Sequence, residues 1–293
     1  MTTRPGPVER VRARVAASRG PEVAEGLPEG FQRLGPVVIV RLPDSLRPHF
    51  PAIGAAYLEE LRARAVLRRR GGSVGEFRLP EVEPIAGRGT ETEVVEHGIR
   101  YRLDAARVMF AAGNHSERAR VGRLVRPGET VVDLFAGIGY FTLPAAVLGR
   151  AGHVHACEAN PVAVEYLRTN VERNRVGGRV TVYPGDNRDA PLPSGAADRV
   201  FLGLLPESLP WVPRAAGLLA PRGGWLHVHR LQETRQGPDP VIGPVLDLID
   251  RAGRTALTAA VHPVKPYGPG RRHVVVDVAV GPLGAGPAGP APE

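Results

Sequence analysis

The sequence predicts an α/β protein in which a doubly wound, seven-stranded and mostly parallel sheet follows a small N-terminal α+β domain. Three observations support this prediction. From about Pro127, short apolar runs alternate with helical segments, which is the pattern of parallel βαβ units. The last two apolar runs are separated only by the turn YGPG, which predicts an antiparallel hairpin at the end of the sheet. Before about Leu103, a few strands accompany a single amphipathic helix.

The chain divides into four predicted segments. Residues 1–26 are rich in Pro, Gly and Arg without a sustained period, and we expect them to be disordered. Residues 27–103 form the small α+β domain, and residues 104–280 form the larger domain. Residues 281–293, GPLGAGPAGPAPE, lack core-forming side chains and are predicted to be a disordered tail.

The small domain contains few expected elements. We predict a strand at Val37–Leu42, a helix around Phe50–Arg64, a strand near Val66–Arg69, and a hairpin joined at Gly98. In the larger domain, five parallel strands are expected at VVDLF, VHACE, VTVYPGD, DRVFLGL and WLHVHR, followed by the hairpin strands ALTAAVHPVK and HVVVDVAV. Helices are expected after the first, second and fourth of these strands, the second one capped by Asn160 before Pro161.

Composition excludes several classes of protein. No run of about 18 apolar residues could span a bilayer, and the N-terminus lacks the apolar core of a secretory signal, so we expect a cytoplasmic protein. The single cysteine, Cys157, excludes an internal disulfide and is expected to be a buried strand residue. The net charge of +8 would suit a polyanion, but Lys265 is the only lysine among 38 basic residues, which indicates a compositional bias towards arginine.

Polar residues follow three successive predicted strands. Asp133 ends the first strand and precedes a turn containing Gly137 and Gly139, where the backbone can approach a ligand and a helix begins. Glu158 ends the second strand, where a carboxylate can accept both hydroxyls of a ribose. Asp186 and Asn187 follow the third strand and could meet an adenine edge. The turn lacks the third glycine of GxGxxG and the GK[ST] of a phosphate loop, so the set predicts an adenosyl ligand.

At these residues the sequence resembles a known family, the tRNA guanine-N1 methyltransferases and wybutosine-synthesising aminocarboxypropyl transferases. The resemblance covers roughly Val37 to Val280, and it is closer to the aminocarboxypropyl transferases in the strings VVDLFAGIGYFTLP, HACEANP, GDNR, ADRVFLGLLP and LHVHR. It implies a class I methyltransferase-like fold and S-adenosylmethionine as the cofactor. It also implies Arg118 as a contact to the sulfonium or methionine end. Ala111 departs from the family's serine, which puts one cofactor contact in doubt.

The resemblance also bears on which carbon of the cofactor reacts. The methyltransferase branch has an asparagine after strand four, whereas this chain has Gly203-Leu204-Leu205-Pro206. This difference favours 3-amino-3-carboxypropyl transfer, by direct displacement at the γ-carbon next to the sulfonium, over methyl transfer. Asp189 and His229 are candidate catalytic residues, with His227 on the same strand face as His229, and a structural role for this pair is at least as well supported. We expect no metal site, because two histidines on one strand are a poor zinc signature.

Two acceptors remain open. The family precedent is a modified guanosine beside the tRNA anticodon, and the small domain looks like the family's second domain. The alternative is a small-molecule phenolic hydroxyl in antibiotic biosynthesis, as in an isonocardicin synthase. It is favoured by a composition typical of high-GC bacteria and by basic residues spread along the chain. Methyl transfer to tRNA, and a protein that binds S-adenosylmethionine without catalysis, are further alternatives.

Overall fold

The computed structural model describes residues 5–284, except for the side chain of Ser73. The chain divides into two compact units. The first contains Met1–Glu96 and Arg100–Ala112, and the second contains His97–Ile99 and Gly113–Glu293. Among the described residues, no helix is long and apolar enough to cross a membrane.

The first unit is built on a four-stranded sheet. Its strands are β1 (Gln32–Leu34), β2 (Val37–Val40), β3 (Ala65–Val74) and β4 (Leu79–Gly87), hydrogen-bonded in that order. Only β2 and β3 pair in parallel, because helix α3 (Phe50–Leu61) makes the crossover between them. A two-stranded hairpin of β5 (Glu91–Glu96) and β6 (Ile99–Asp104) follows. It turns at His97 and Gly98, which both have positive φ, as the glycine at this position predicted.

Two helices precede this sheet, at α1 (Pro7–Arg19) and α2 (Pro21–Glu25). The prediction that residues 1–26 are disordered is therefore wrong for residues 7–25, while residues 1–4 lie outside the described residues. Val11 and Val15, one turn apart, are fully buried in the same core as Ile53 of α3. The sequence of this helix is mostly polar, so its local pattern is weak and did not predict a helix. Burial of its short apolar stripe against another element stabilises it.

The second unit contains the predicted seven-stranded sheet. It begins with helix α4 (His115–Leu124), and its strands have the order β12-β13-β11-β10-β7-β8-β9. These strands are β7 (Thr130–Asp133), β8 (His153–Glu158), β9 (Val180–Pro184), β10 (Arg199–Leu202), β11 (Gly224–Glu233), β12 (Ala256–Pro266) and β13 (Arg271–Val280). Strands β7 to β11 pair in parallel, and β13 pairs antiparallel with both β11 and β12.

Helices α5 (Thr142–Val147), α6 (Pro161–Arg173) and α7 (Val212–Leu218) follow β7, β8 and β10, as predicted. A fourth helix, α8 (Asp239–Arg251), was not predicted. Prolines at its start and inside it obscure the helical pattern, yet Val241, Val245 and Ile249 recur every four residues and are buried. The strand β4 was also not predicted.

The strand order determines where a ligand can bind. The chain starts in the middle of the sheet at β7, moves outward through β8 and β9, and then returns to the other side of β7 at β10. In open α/β sheets, ligands bind outside the carboxyl ends of the strands at such a reversal. Of the predicted tail, residues 281–284 are held by backbone hydrogen bonds from Gly281 to Thr255 and from Leu283 to Pro221. Residues 285–293 lie outside the described residues.

Candidate active site

The turn after β7 is organised by a buried carboxylate. Asp133 is fully buried, and its Oδ2 accepts hydrogen bonds from the backbone N–H (3.1 Å) and the hydroxyl (2.8 Å) of Thr142. Its Oδ1 accepts a longer bond from the N–H of Phe135 (3.3 Å). Burial raises the pKa of Asp133 to about 6, against the bonds from Thr142 and Phe135 that lower it. In this geometry Asp133 shapes the turn, and a direct contact to a ligand stays a prediction.

Two glycines allow the turn to fold tightly. Gly137 and Gly139 have φ values of +57° and +105°, a region that side chains disfavour. A Cβ on Gly137 would lie 2.4 Å from the ring of Tyr140, and one on Gly139 would lie 2.8 Å from Leu143. The peptide N–H of Gly137 is thereby directed to the next strand, where it meets Glu158.

Glu158 at the end of β8 joins two parts of the site. One carboxylate oxygen accepts from the N–H of Gly137 and the other from the N–H of Asn160, each at 2.7 Å. Asn160 caps α6 by accepting from the N–H of Val162, as predicted. Burial raises the pKa of Glu158, against the backbone N–H bonds that lower it. Each oxygen of a carboxylate has a further lone pair, so the oriented group can still accept two hydroxyls.

The loop after β9 provides an unsatisfied acceptor. Asn187 is 5% exposed, and its Nδ2 donates to the carbonyl of Leu134 at 3.2 Å, which fixes the amide orientation. Its Oδ1 is buried without a hydrogen-bond partner. A buried acceptor without a donor is costly, and an amino group of a ligand would satisfy it. The carboxylate of Asp186, in contrast, accepts from the N–H (2.8 Å) and Nε (2.9 Å) of Arg188, which lowers its pKa.

Arg118 projects from α4 and is 1% exposed, which makes it the largest fully buried side chain of the described residues. Its charge acts on Tyr140 of the glycine turn. Burial raises the pKa of Tyr140, and Arg118 opposes that rise. The guanidinium therefore lies near the turn, although its predicted contact to a sulfonium or methionine group stays a prediction. Ala111 belongs to the first unit, and the consequence of its departure from serine also stays a prediction.

His227 belongs to a buried network of charged groups. Its Nδ1 is 2.5 Å from a carboxylate oxygen of Asp277, and its Nε2 is 2.7 Å from a guanidinium nitrogen of Arg199. A neutral ring satisfies both partners by donating to Asp277 and accepting from Arg199. Burial lowers the pKa of His227, which agrees with this neutral form. The network continues through Arg120 to Glu117 on α4 and through Arg199 to Glu129. Both ring nitrogens of His227 are therefore engaged within this network, which favours a structural role.

His229 lies on the same face of β11, with a different environment. Its Nδ1 is 2.8 Å from Nε2 of His273, and its ring lies 4.8 Å from the ring of Phe141 between centroids. It is 1% exposed, and its Nε2 is buried without a hydrogen-bond partner. Burial lowers its pKa well below the ordinary value. The other catalytic candidate, Asp189, is exposed in the loop after β9.

The partners of these histidines were not predicted from the sequence. They are Asp277 and His273 on β13 and the two arginines of the network, Arg120 and Arg199. A partial signal existed, because Asp277 interrupts the otherwise apolar run Val274–Val280 and His273 directly precedes it. Cys157 is buried, as expected. Among the described residues, no group of three or more His, Cys, Asp or Glu side chains could hold a metal ion.

Comparison with known proteins identifies the family. Residues 92–249 match the family described as the TRM5/TYW2 methyltransferase domain, and residues 11–90 match the TYW2 N-terminal domain. The chain belongs to the TRM5/TYW2 family. Its relatives include the tRNA(Phe) (4-demethylwyosine(37)-C(7)) aminocarboxypropyltransferase of Pyrococcus horikoshii, 34% identical over 271 residues, or 92% of this chain and 96% of that protein. The tRNA wybutosine-synthesizing protein 2/3/4 of Arabidopsis thaliana is 39% identical over 88% of this chain, which spans 27% of that longer protein.

Solved TRM5/TYW2 structures share the fold. The structure of P. horikoshii TYW2 in complex with MeSAdo has a TM-score of 0.83 and 32% identity, covering 94% of this chain and 99% of that chain. The structure of M. jannaschii TYW2 in complex with AdoMet has a TM-score of 0.71 and 28% identity, covering 87% and 100%. This chain is an S-adenosylmethionine-dependent transferase. The unsatisfied Asn187 and the oriented Glu158 fit the adenosyl group that such an enzyme binds.

Proposed function

We propose that this chain transfers the 3-amino-3-carboxypropyl group of S-adenosylmethionine to a modified guanosine of tRNA, as a step of wybutosine synthesis. The observation that carries the proposal is the match over nearly the whole length of the P. horikoshii aminocarboxypropyltransferase, including the TYW2 N-terminal domain at residues 11–90. The catalytic domain alone would leave the two branches of the family open. A tRNA acceptor agrees with the cytoplasmic location expected from the sequence.

The residues at the carboxyl ends of the strands support binding of the adenosyl group. Glu158 would accept from the ribose hydroxyls, and the free Oδ1 of Asn187 would accept from the adenine amino group. Asp133, Gly137 and Gly139 shape the turn after β7, whose Gly137 N–H donates to Glu158. The sulfonium of the bound cofactor makes the adjacent carbons electrophilic, and the protein selects one of them by orientation.

The segment after β10 supports transfer of the larger group. Gly203-Leu204-Leu205-Pro206 stands where the methyltransferase branch has an asparagine. Gly203 packs against Phe141 so closely that a Cβ would lie 2.7 Å from its ring. The hydroxyl of Ser208, which follows the segment, donates to the carbonyl of Leu202, which precedes it, at 3.0 Å, and this bond fixes the two ends of the segment relative to each other. The segment itself contains only apolar residues and no side-chain amide.

The products of the reaction test the proposal. The protein is incubated with S-adenosylmethionine and tRNA(Phe) carrying 4-demethylwyosine, and the nucleoside product is identified by chromatography. We expect methylthioadenosine, because transfer of the 3-amino-3-carboxypropyl group breaks the bond between sulfur and the γ-carbon and leaves the methyl and adenosyl groups on sulfur. S-adenosylhomocysteine would instead show methyl transfer, and binding without either product would show a non-catalytic protein.

A second arm tests the acceptor. A phenolic amino acid derivative replaces tRNA. We expect no turnover, because the relatives of this chain act on tRNA and give no support to the phenolic acceptor or to an isonocardicin synthase-like activity. We also expect the logarithm of the tRNA affinity to fall linearly with the logarithm of salt concentration, since phosphate contacts release counterions. Turnover of the phenol but not of tRNA would refute the proposal.

A further inference from the structure

His229 combines burial with an unsatisfied polar atom at the functional edge of the sheet. Strands β10 and β11 pair Leu202 with Val228, so His229, the next residue of β11, lies level with the residue just after Leu202. His229 therefore stands immediately beyond the carboxyl end of β10, beside the segment that begins at Gly203. Phe141 connects the two positions, because its ring contacts both Gly203 and the ring of His229.

The orientation of the ring follows from its one hydrogen bond. Nδ1 faces His273 on β13, the strand on the outer side of β11. The two nitrogens of an imidazole point in widely divergent directions, so Nε2 points away from His273. The predicted adenosyl site lies at the ends of β7, β8 and β9, on the far side of β10. An acceptor must approach the reacting carbon from outside that site, and the end of β10, with the part of β11 at His229 beside it, is adjacent to it.

We propose that His229 is the general base of the transfer: its Nε2 accepts the proton that the acceptor carbon loses, while His273 holds the ring in position. This inference rests on the proposed function. The required tautomer carries its proton on Nδ1, donates it to Nε2 of His273, and leaves a lone pair on Nε2. The contact is consistent with this assignment, because one of the two facing nitrogens must donate and the other accept.

The transfer leaves a proton on the acceptor carbon that a base must remove. The acceptor carbon uses a ring electron pair to form a bond to the γ-carbon, and the carbon–sulfur bond breaks with its electrons on sulfur. The acceptor ring then carries a positive charge and still holds its hydrogen. Nε2 of His229 takes that proton, and the carbon–hydrogen electrons restore the neutral ring. A proton on a positively charged ring is strongly acidic, so a histidine whose pKa burial has lowered is a sufficient base.

Two variants of His229 separate the roles of its nitrogens. In His229→Asn the amide replaces Nδ1, so the bond to His273 is kept and Nε2 is lost. In His229→Gln the amide replaces Nε2, so a polar group remains there but cannot take a proton. We expect both variants to lose at least about 100-fold in kcat. The KM and the calorimetric Kd for S-adenosylmethionine should stay within about twofold. The control is His153→Asn at the amino end of β8, which should keep wild-type activity.

Variants of His273 test the positioning role. His273→Gln retains an acceptor near the place of Nε2 and should keep kcat within about threefold, whereas His273→Leu should lower kcat about tenfold without changing the KM for S-adenosylmethionine. Wild-type rates in His229→Gln would show that a hydrogen bond suffices, and wild-type rates in His229→Asn would show that Nε2 is not used. Either result overturns the proposal. So would loss of cofactor binding or of the folded state in both variants, which would make the ring structural. Absence of methylthioadenosine with the wild-type protein and tRNA would count against the proposed function instead.

Discussion

Replacing Glu158 should weaken cofactor binding by an amount that the structure allows us to bound. Both oxygens of this carboxylate accept backbone N–H groups at 2.7 Å, and the resulting orientation leaves one lone pair on each for a ribose hydroxyl. In Glu158→Ala these charge-assisted bonds are lost. Their removal should weaken binding of S-adenosylmethionine by about 1–3 kcal/mol, a roughly 5- to 150-fold rise in Kd.

The choice of ligands makes the assay specific. S-adenosylmethionine and methylthioadenosine share the ribose, so Glu158→Ala should raise the Kd of both by the same factor in isothermal titration calorimetry. A loss confined to S-adenosylmethionine would place Glu158 at the methionine end. Glu165→Ala, on the exposed face of α6, is the matched control and should change neither Kd.

Glu158→Gln distinguishes the contact to the ligand from support of the turn. The amide keeps the shape of the side chain, but its nitrogen faces one backbone N–H that needs an acceptor, either that of Gly137 or that of Asn160. We expect this variant to bind more weakly than wild type as well. Unchanged affinity for both ligands in Glu158→Ala would refute the ribose assignment.

Three further substitutions perturb Asp133, Asp277 and Gly203. Because burial raises the pKa of Asp133 from its ordinary 3.8 to about 6, the folded protein binds this proton more tightly than the unfolded chain. The free energy of unfolding in urea should therefore fall by about 2 kcal/mol as pH rises from 4 to 7, relative to Asp133→Asn; parallel pH curves would contradict this. Asp277→Asn leaves the cations of its network without their carboxylate and should cost about 3 kcal/mol in the same assay. The surface control Asp250→Asn should stay within about 0.5 kcal/mol, and an equal effect of the two would exclude a special role for Asp277. Gly203→Ala places a Cβ 2.7 Å from the Phe141 ring, which must move relative to His229, so kcat should fall about tenfold with cofactor affinity retained; a wild-type kcat would contradict this packing argument.

The parts of the site that the sequence predicted are those encoded locally. Asn160, Pro161 and the end of β8 lie within a few residues of one another, so the position of Glu158 follows from a strand ending where a capped helix begins. The turn at Gly137 and Gly139 is likewise a short segment whose backbone requires glycine. Parallel strands bring such segments together, because their carboxyl ends lie at one edge of the sheet.

The unpredicted parts depend on contacts between distant residues. His227 and Asp277 are 50 residues apart in the chain, and Arg120 and Asp277 are 157 apart. A period-two pattern places His227 and His229 on one face, but it gives no information about the residue opposite on a neighbouring strand. That residue decides which ring nitrogens have partners. A carboxylate and an arginine engage both nitrogens of His227, whereas a second histidine engages only Nδ1 of His229 and leaves its Nε2 without a partner.

The net charge of +8 is a poor guide to the acceptor, because it counts buried and paired arginines together with exposed ones. Several arginines are buried rather than displayed, namely Arg68, Arg118, Arg199 and Arg254. Arg68 and Arg199 pair with glutamates, at 2.8 Å to Glu83 and 2.9 Å to Glu129, and so contribute little to the field outside the protein. Only exposed cations release counterions from a nucleic acid, so the salt dependence of tRNA binding should reflect far fewer charges than the sequence contains. The match over both domains, and not the net charge, supports tRNA as the acceptor, and the measured salt slope will count the arginines that contact phosphate.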